Sequence, residues 1–353
     1  MKIVTVIGTR PEIIKMSRLI PLLDKHFDHT FIFTSQHYSK NMVDIFFNEL
    51  DVRIPDCFLY TKSSEYPVLI KSIINELTNI NPDYILVYGD TNSTLSAAIA
   101  SKILKKRLIH VEAGLRSFDR EMPEEINRIL TDHMSNLLFP PTKYTESLLK
   151  REKIVDNVFI VGNPIVDAVY SYLPKIERSN VLNTLNLRKK DYILLTLHRQ
   201  ETVDKIDRFK KIIKALILID KKVIFPAHPR TEKRLVEFGL KLPQNVKKIK
   251  PLGYFAFLQL LKNSSFVLTD SGGVQEEAIT LKVPCITVRK STERMETIRA
   301  GVNFLAGIEP ESIKKYVDLI IEGSIHKRIK TVKNPYGDGK TSEKIIKQLK
   351  QVD

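Results

Sequence analysis

Three carboxylate residues stand where the sequence could carry out proton transfer. Asp90 and Glu112 each follow a strongly apolar stretch of strand type, and Glu124 opens a helical stretch after Pro123. Carboxylates that converge on one edge of a sheet repel one another, which raises the pKa of at least one of them and suits it for acid–base catalysis near neutral pH. We therefore predict that Asp90, Glu112 and Glu124 are acid–base catalysts. The next residue, Glu125, is expected only to complement the helix dipole.

The segment 8–15, GTRPEIIK, follows the first predicted strand. Gly8 permits a tight turn, and Pro11 suits the first position of a helix because its missing N–H would be unpaired there. Arg10 then stands at the helix N-terminus, with Lys15 about one turn inside. A cation beside the positive end of a helix needs a negative partner, so the segment is predicted to bind an anion. The alternative is a plain strand-to-helix turn with two surface cations.

A second segment with anion-binding features is 269–277, TDSGGVQEE, in which a strand runs into a helix. Gly272 and Gly273 remove side chains from the helix N-terminus, so backbone N–H groups and the Ser271 hydroxyl can contact phosphate oxygens. Glu277 lies one turn further and can accept hydrogen bonds from ribose hydroxyls. The string DSGG also surrounds the nucleophile of trypsin-like proteases, but those proteins are all-β, whereas this serine opens a helix in an α/β chain.

Histidines and arginines follow other predicted strands of the second half. His198, in HRQE, and His228, in PAHPR, lie on the same sheet edge as Ser271. Arg289 and Arg294 come after the next strand, where either can hold a second phosphate. The sequence contains no GxGxxG segment, HExxH motif or paired CxxC, so we expect neither a dinucleotide cofactor nor a metal.

The composition predicts a globular cytoplasmic enzyme that acts on a small molecule. Hydrophobic residues make up 43% and charged residues 27%, as in ordinary folded domains. Only two cysteines occur, the N-terminus does not resemble a signal peptide, and no run of about 18 apolar residues predicts a membrane span. The net charge of +15 is spread along helical stretches without interleaved aromatics. It therefore favours a phosphate-bearing small substrate over a nucleic acid.

Short β-branched stretches alternate with helical stretches along the chain, a pattern typical of parallel sheets wound with helices. The first series of predicted strands covers residues 2–7, 30–34, 84–88, 108–111, 136–139 and 158–161. The second series covers residues 192–197, 222–226, 246–249, 265–269 and 284–288. The predicted fold class is therefore α/β, with two Rossmann-like domains that each close their own sheet.

The segment 162–164, GNP, breaks this pattern between the two series. At 353 residues the chain is long for one core and suits two domains. The predicted divisions are a domain that carries the catalytic acids at 1–163, a phosphate-binding domain at 164–338, and a C-terminal helix at 339–353 that packs back on the first domain. Ligands gather at the carboxyl ends of parallel strands, so two facing sheets predict a ligand cleft between the domains.

Several segments together resemble the non-hydrolysing UDP-N-acetylglucosamine 2-epimerases, nearly end to end and in the same order. These are residues 8–15, 88–91, 110–116, 123–128, 198–201, 269–277, 292–294 and 334–339. The resemblance implies two facing Rossmann-like domains of the glycosyltransferase-B type, a homodimer, and interconversion of UDP-N-acetylglucosamine with UDP-N-acetylmannosamine. It places the catalytic acids on the three carboxylates above, with His198 beside them. It implies that UDP is held by Arg10, Lys15, His198, Ser271, Gly272, Gly273, Glu277 and Arg294, with Phe257 packed on the uracil.

The implied reaction agrees with these residues. Inverting C2 through an unsaturated intermediate requires a proton to leave one face of the sugar and return to the other, so more than one acid–base group is needed. Cleavage at C1 releases UDP, whose charge is stabilised by cations and helix N-termini. The alternatives are a hydrolysing 2-epimerase that releases UDP and free sugar, a glycosyltransferase of the same fold, and a nucleotide-sugar or nucleic-acid binding module without turnover.

Two segments depart from the family pattern. Bacterial members bind substrate as an activator near the positions of Gln36 and His37, but Tyr38 and Ser39 follow here where many members have an arginine and a polar partner. Gln36, His37 and His228 are therefore only possible regulatory positions. The segment 117–122, SFDREM, resembles relatives that act on diacetamido uronic sugars, which leaves the C3 and C6 substituents of the sugar open.

Overall fold

The computed structural model describes residues 1–34, 47–59 and 65–352. The chain forms two compact units, the first made of Met1–Tyr170 and Tyr336–Asp353 and the second of Ser171–Pro335. Each unit contains one parallel six-stranded sheet wound with helices, so the predicted α/β class is confirmed. The chain enters the second unit after Tyr170, whereas the sequence pattern placed this change after Asn163. Among the described helices, none has the length and apolar composition needed to cross a bilayer.

The first sheet has the strand order β3-β2-β1-β4-β5-β6. Its strands are β1 Lys2–Ile7, β2 Asp28–Phe33, β3 Cys57–Phe58, β4 Tyr84–Tyr88, β5 Arg107–Val111 and β6 Leu137–Phe139. Its helices are α1 Arg10–Met16, α2 Ile20–His26, α3 Tyr66–Ile80, α4 Asn92–Ile103, α5 Pro123–Met134, α6 Lys143–Arg151 and α7 Pro164–Ser171. The central strands are buried along almost their whole length, because helices cover both faces of a parallel sheet.

The second sheet has the order β12-β11-β10-β7-β8-β9. Its strands are β7 Ile193–Thr196, β8 Val223–Pro226, β9 Val246–Ile249, β10 Val267–Thr269, β11 Cys285–Thr287 and β12 Asn303–Leu305. Its helices are α8 Leu173–Arg178, α9 Val181–Thr184, α10 Gln200–Val203, α11 Ile206–Ile217, α12 Pro229–Glu237, α13 Tyr254–Asn263, α14 Gly272–Thr280, α15 Met295–Arg299, α16 Pro310–Ile321 and α17 Ser324–Thr331. Helix α18, Thr341–Leu349, follows in the first unit and contacts α2.

One predicted strand, 158–161, is wrong. Val158 forms only an isolated bridge with Leu138, the middle residue of β6. The residues after β6 are Pro140 and Pro141, which have no N–H to donate, so a ladder cannot continue beyond this bridge. The sequence pattern also missed β3 and β12, whose two and three residues are too few to show an alternation.

The C-terminal segment lies against the chain that precedes α7. The Asn163 N–H donates to the Tyr336 carbonyl at 2.8 Å. Gly162 has a φ of +100°, and a Cβ there would lie 2.6 Å from Thr341 Oγ1 and 2.8 Å from the Tyr336 oxygen, so only glycine fits. The Asp167 carboxylate accepts the first two N–H groups of α18 at 3.0 and 2.6 Å. These contacts fix the start of α18 on the first unit.

Candidate active site

The carboxyl ends of three neighbouring strands bring the predicted residues of the first unit to one sheet edge. Strands β1, β4 and β5 are adjacent and parallel. Gly8 follows β1, Asp90 stands two residues after β4, and Glu112 directly follows β5. This edge is where open α/β sheets bind their ligands. The order of strands, and not closeness in sequence, therefore brings together the loops after β1, β4 and β5.

Glu112 is the buried centre of this edge. Its Oε1 atom accepts hydrogen bonds from Lys15 Nζ at 2.7 Å and from Asn163 Nδ2 at 2.8 Å. The Tyr88 ring lies beside Lys15, with 5.2 Å between the ring centroid and Nζ. Glu112 has a φ of +73°, a left-handed conformation that is strained for a residue with a side chain and that recurs at functional sites. The structure therefore places the Lys15 ammonium on Glu112.

Asp90 and Glu124 are linked through helix α5. The Asp90 side chain is partly exposed, and its carboxylate pairs with Arg128 of α5. Asn127, on the same helix, donates to the Asp90 carbonyl at 2.9 Å. Glu124 lies in the first turn of α5, is partly exposed, and makes no hydrogen bond or ion pair with the described residues. Helix α5 thus carries one of the three predicted acids and holds a second.

Glu125 does more than complement the helix dipole. Its buried carboxylate accepts the N–H groups of Ser117 and Phe118 at 2.8 and 3.0 Å, and Arg128 Nη2 at 2.8 Å. Burial acts to raise the pKa of Glu125, but the Ser117 N–H and the Arg128 charge hold it below its usual value. Glu125 therefore fixes both the loop at residues 117–118 and the arginine that pairs with Asp90.

The turn after β1 contains a buried carboxylate that the sequence interpretation did not single out. Arg10 is the first residue of α1 and Pro11 the second, one position later than predicted. The Glu12 carboxylate accepts the Gly8 and Thr9 N–H groups at 3.0 and 2.8 Å, and the Thr91 hydroxyl at 3.1 Å. Burial raises the pKa of Glu12 to about 7, against the lowering effect of these hydrogen bonds. The TxxE spacing of a capping box was the signal that could have found it.

His110 is a second buried group that sequence analysis missed. Its Nδ1 atom lies 2.7 Å from Asp132 Oδ1, and its Nε2 atom lies 2.9 Å from the Gly89 carbonyl oxygen. Although burial opposes it, His110 and Arg116 hold the pKa of Asp132 below its usual value. The imidazole supports Gly89, the residue before Asp90. A histidine inside the otherwise apolar run at residues 108–111 was the available signal.

In the second unit, strands β10, β7 and β8 end side by side at the edge that carries the predicted histidines. The ring centroids of His198 and His228 are 6.0 Å apart. The buried Asp270 accepts the His198 N–H at 3.0 Å, and its Oδ1 atom lies 3.3 Å from His198 Nδ1. His228 immediately precedes α12 and caps its N-terminus, where its Nδ1 accepts the Arg230 N–H at 3.2 Å. Burial, together with His198 and Arg230, lowers the pKa of His228.

Ser271 immediately precedes α14, as the sequence predicts for an anion-binding helix start. A Cβ atom at Gly273 would meet no other atom within 4 Å, so the helix start is open on that side. A Cβ atom at Gly272 would lie 2.6 Å from a carboxylate oxygen of Glu293, so a larger residue there would displace the Glu293 side chain. Glu277 is buried on the next turn of the helix.

The arginines beyond β11 are buried in ion pairs. Arg294 Nε lies 2.5 Å from Glu276 Oε1, and Arg289 Nη1 lies 3.1 Å from Glu293 Oε2. The structure therefore places both predicted phosphate ligands next to glutamates. Phe257 is partly exposed on the first turn of α13.

Two further observations concern the regulatory and metal predictions. Gln36 and His37 lie outside the described residues. Within residues 1–34, 47–59 and 65–352, no three histidine, cysteine, aspartate or glutamate side chains group as a metal site requires.

The family model for UDP-N-acetylglucosamine 2-epimerase matches residues 22–350. The chain belongs to this family. It is 46% identical to the UDP-N-acetylglucosamine 2-epimerase of Methanocaldococcus jannaschii, over 99% of each chain. It is 37% identical to the UDP-2,3-diacetamido-2,3-dideoxy-D-glucuronate 2-epimerase of Pseudomonas aeruginosa, also over 99% of each. The predicted family resemblance is confirmed, and with it the prediction of an isomerase.

The solved structures extend the likeness to the fold. The Methanocaldococcus jannaschii epimerase, crystallised with UDP-GlcNAc and UDP, matches with a TM-score of 0.92 over 99% of this chain and all of that one. The epimerase of Neisseria meningitidis bound to UDP-GlcNAc matches with a TM-score of 0.90 at 31% identity, over 99% of this chain and all of that one. The 2-epimerase family thus shares the two parallel sheets described above.

Proposed function

We propose that the chain interconverts UDP-N-acetylglucosamine and UDP-N-acetylmannosamine by inverting C2 of the sugar. The observation that carries the proposal is the buried Glu112 carboxylate, paired with Lys15 at the end of β5, with Asp90 beyond the end of the adjacent β4. Membership of the 2-epimerase family and 46% identity to a UDP-N-acetylglucosamine 2-epimerase support it.

The reaction needs proton transfer on both faces of the sugar ring. One carboxylate removes the C2 proton while the C1–O bond to UDP breaks, which leaves a C1=C2 double bond. A second acid returns a proton to the opposite face of C2, and UDP adds back to C1. Asp90, Glu112 and Glu124 are the proposed acid–base groups, because each lies at a strand end or helix start of one sheet edge. The Lys15 ammonium favours the ionised form of Glu112.

The second unit supplies the proposed nucleotide site. Ser271 and the backbone N–H groups at the start of α14 lie at the positive end of the helix dipole, which suits a diphosphate. His198, held by Asp270, is placed beside the leaving phosphate in this proposal, and Arg10 of the first unit is assigned to the same anion. The proposal assigns Glu277 to the ribose and Phe257 to the uracil.

We assign Arg294 an indirect role in the phosphate site. Because Arg294 pairs with Glu276 at the edge that carries Ser271, we propose that it shapes the phosphate site in the absence of substrate and turns to UDP when it binds. Five statements stay predictions: the homodimer, the cytoplasmic location, the lack of nucleic-acid binding, the cleft between the domains and a regulatory role for His228.

A proton NMR time course in D2O, with UDP-N-acetylglucosamine as substrate, tests the function. The expected result is UDP-N-acetylmannosamine with deuterium at C2. Accumulation of UDP and free N-acetylmannosamine without a UDP-linked product would indicate the hydrolysing reaction. Transfer only after an acceptor is added would indicate a glycosyltransferase. Binding without deuterium at C2 would indicate a module without turnover.

The Pseudomonas aeruginosa relative suggests a second UDP-sugar that should be tested as a substrate. The substrate in the name of this relative carries an acetamido group at C3 and a carboxylate at C6, and the relative is 37% identical to this chain. The higher identity to the UDP-N-acetylglucosamine enzyme favours the simpler sugar. Comparison of kcat/KM for the two UDP-sugars decides the assignment, and a higher value for the diacetamido uronic sugar would replace the proposed substrate.

A further inference from the structure

We propose that Asn163 is a positioning residue that holds the Glu112 carboxylate for proton transfer, and that the chain from Tyr336 to Thr341 holds Asn163 in turn. The inference rests on the proposed epimerase function. The sequence pattern marked Asn163 only as part of a linker, and the proposed reaction assigns no role to the C-terminal turn at 336–339.

The side chain of Asn163 has one orientation in its surroundings. It is fully buried, and its Oδ1 atom accepts the Tyr88 hydroxyl at 3.2 Å and the Ile165 N–H at 3.1 Å. Because the Ile165 N–H can only donate, the amide oxygen must face it, and the NH2 group must face Glu112. The 2.8 Å bond from Nδ2 to Glu112 Oε1 therefore follows from the network as a whole.

Asn163 and Lys15 act on the same carboxylate oxygen in different ways. Lys15 brings charge, but its long side chain defines a direction poorly. Asn163 brings no charge, and its short side chain is fixed from both ends of the amide. Glu112 needs such a support, since its φ of +73° takes it out of the regular β5 conformation. We infer that Asn163 sets the direction of the carboxylate and Lys15 favours its ionised form.

The backbone of Asn163 is fixed by the C-terminal segment. Its N–H donates to the Tyr336 carbonyl at 2.8 Å. Gly162 and Gly337 have φ values of +100° and +116°, and a Cβ added at Gly337 would lie 3.6 Å from the Gly162 Cα atom. Two glycines in conformations that other residues avoid let the two backbones approach closely. The turn at 336–339 thus supports the residue that supports Glu112.

Replacement of Asn163 by alanine tests the positioning role. The variant keeps the backbone N–H, and so the bond to Tyr336, but loses the amide on Glu112. We expect kcat to fall by up to about 100-fold, because a small misplacement of a catalytic group can cost that much in rate, while KM changes little. The acidic limb of the pH–rate profile should move to higher pH, because an ionised carboxylate has lost a donor. Asn163→Asp, which turns an acceptor towards Glu112, should move it further.

Asn136→Ala is the matched control. Asn136 accepts the Leu108 N–H at 2.9 Å at the start of β5, the strand that Glu112 follows, and lies at the opposite sheet edge. Its loss removes an asparagine hydrogen bond from the same strand, but we expect kcat and the pH profile per folded molecule to stay at the wild-type values. A folded Asn163→Ala enzyme with wild-type kcat and pH profile would overturn the inference, as would equal effects in the two variants.

A titration of the Glu112 carboxyl carbon by NMR separates this inference from the proposed function. It needs no turnover, so an inactive wild-type enzyme would reject the epimerase proposal without deciding the role of Asn163. We expect the pKa of Glu112 to rise in Asn163→Ala and to stay unchanged in Asn136→Ala. An unchanged pKa in both variants would reject the positioning role even in an active enzyme.

Discussion

The Lys15 ammonium lies 2.7 Å from the Oε1 atom of Glu112, and both side chains are buried in the first unit. Removal of one partner from a buried ion pair leaves an uncompensated charge, which typically costs about 3–5 kcal/mol. Lys15→Met is therefore expected to lower the free energy of unfolding and to reduce epimerisation. Lys15→Met/Glu112→Gln should recover part of the stability, because the unpaired carboxylate is gone. Urea unfolding of the single and double variants measures this, and equal stabilities would contradict it.

The proposed acids should separate chemistry from binding. Asp90→Asn, Glu112→Gln and Glu124→Gln keep size and polarity but remove proton transfer, which is worth about 10²- to 10⁴-fold in rate. We expect all three to bind UDP and to lose most epimerisation. Glu121→Gln changes an exposed acid two residues before Pro123 and serves as the control. Near-normal turnover per folded molecule in one variant would remove that residue from the catalytic set.

The nucleotide site can be tested without the sugar. Ser271→Ala and Arg10→Ala should each weaken UDP binding by about 1–3 kcal/mol, the cost of losing a charge-assisted hydrogen bond. Ser324, an exposed serine that opens α17, provides the control for a change from serine to alanine in the second unit. Calorimetry with UDP measures the affinities. Unchanged affinity in both test variants would mean that the phosphate lies elsewhere.

Glu12 predicts a pH dependence of stability. Burial raises the pKa of Glu12 to about 7 in the folded state, above the ordinary value of 4.5 for a glutamate. A raised carboxyl pKa favours the folded state when the group is protonated, so this contribution is full below pH 4.5 and is lost as the pH rises through 7. The total amounts to roughly 3 kcal/mol at about 1.4 kcal/mol per pKa unit.

Glu12→Gln should abolish this part of the pH dependence. Between about pH 5 and about pH 8, the unfolding free energy of the wild type is therefore expected to fall relative to that of the variant. Urea unfolding across this range gives the measurement. A constant difference would show that the hydrogen bonds to Glu12 outweigh its burial.

Substitutions at two glycines distinguish the cost of backbone strain from the cost of close packing. Gly239 has a φ of +60° and open space around a future Cβ, so Gly239→Ala should cost about 1 kcal/mol from the backbone alone. Gly162→Ala adds contacts at 2.6 and 2.8 Å to its unfavourable φ, and should cost more than about 2 kcal/mol. Thermal unfolding compares them. Equal costs would contradict the close approach of the C-terminal segment.

The sequence predicted the sheets well because buried parallel strands are continuous apolar runs. Residues that follow such runs, including Asp90, Glu112 and Ser271, are then assigned to the ligand-binding edge by topology alone. The segment 158–161 misled the prediction, because it has the composition of a strand but its neighbour β6 is followed by two prolines. The composition of a segment indicates whether it is buried, whereas its pairing in a sheet also depends on the neighbouring strand.

The side-chain partners could not be predicted in this way. Lys15 and Glu112 are 97 residues apart in the sequence, and Asn163 and Glu112 are 51 apart. No local pattern relates such positions, so the sequence predicts Lys15 as a phosphate ligand and Asn163 as part of a linker but does not show that both contact Glu112. Arg294 shows the same difficulty, since its ion pair with Glu276 depends on how β11 and α14 pack.

The first unit is assembled from two stretches of chain that the whole second unit separates. During synthesis a ribosome releases residues 1–170 long before it makes Tyr336, so the nascent first unit has nothing to accept the Asn163 N–H or to cover Gly162. The support of Glu112 is therefore completed only after translation of the second unit, although Glu112 itself emerges early. On the ribosome, the loop at Gly162 and Asn163 should therefore become fully ordered later than the strands of the first sheet.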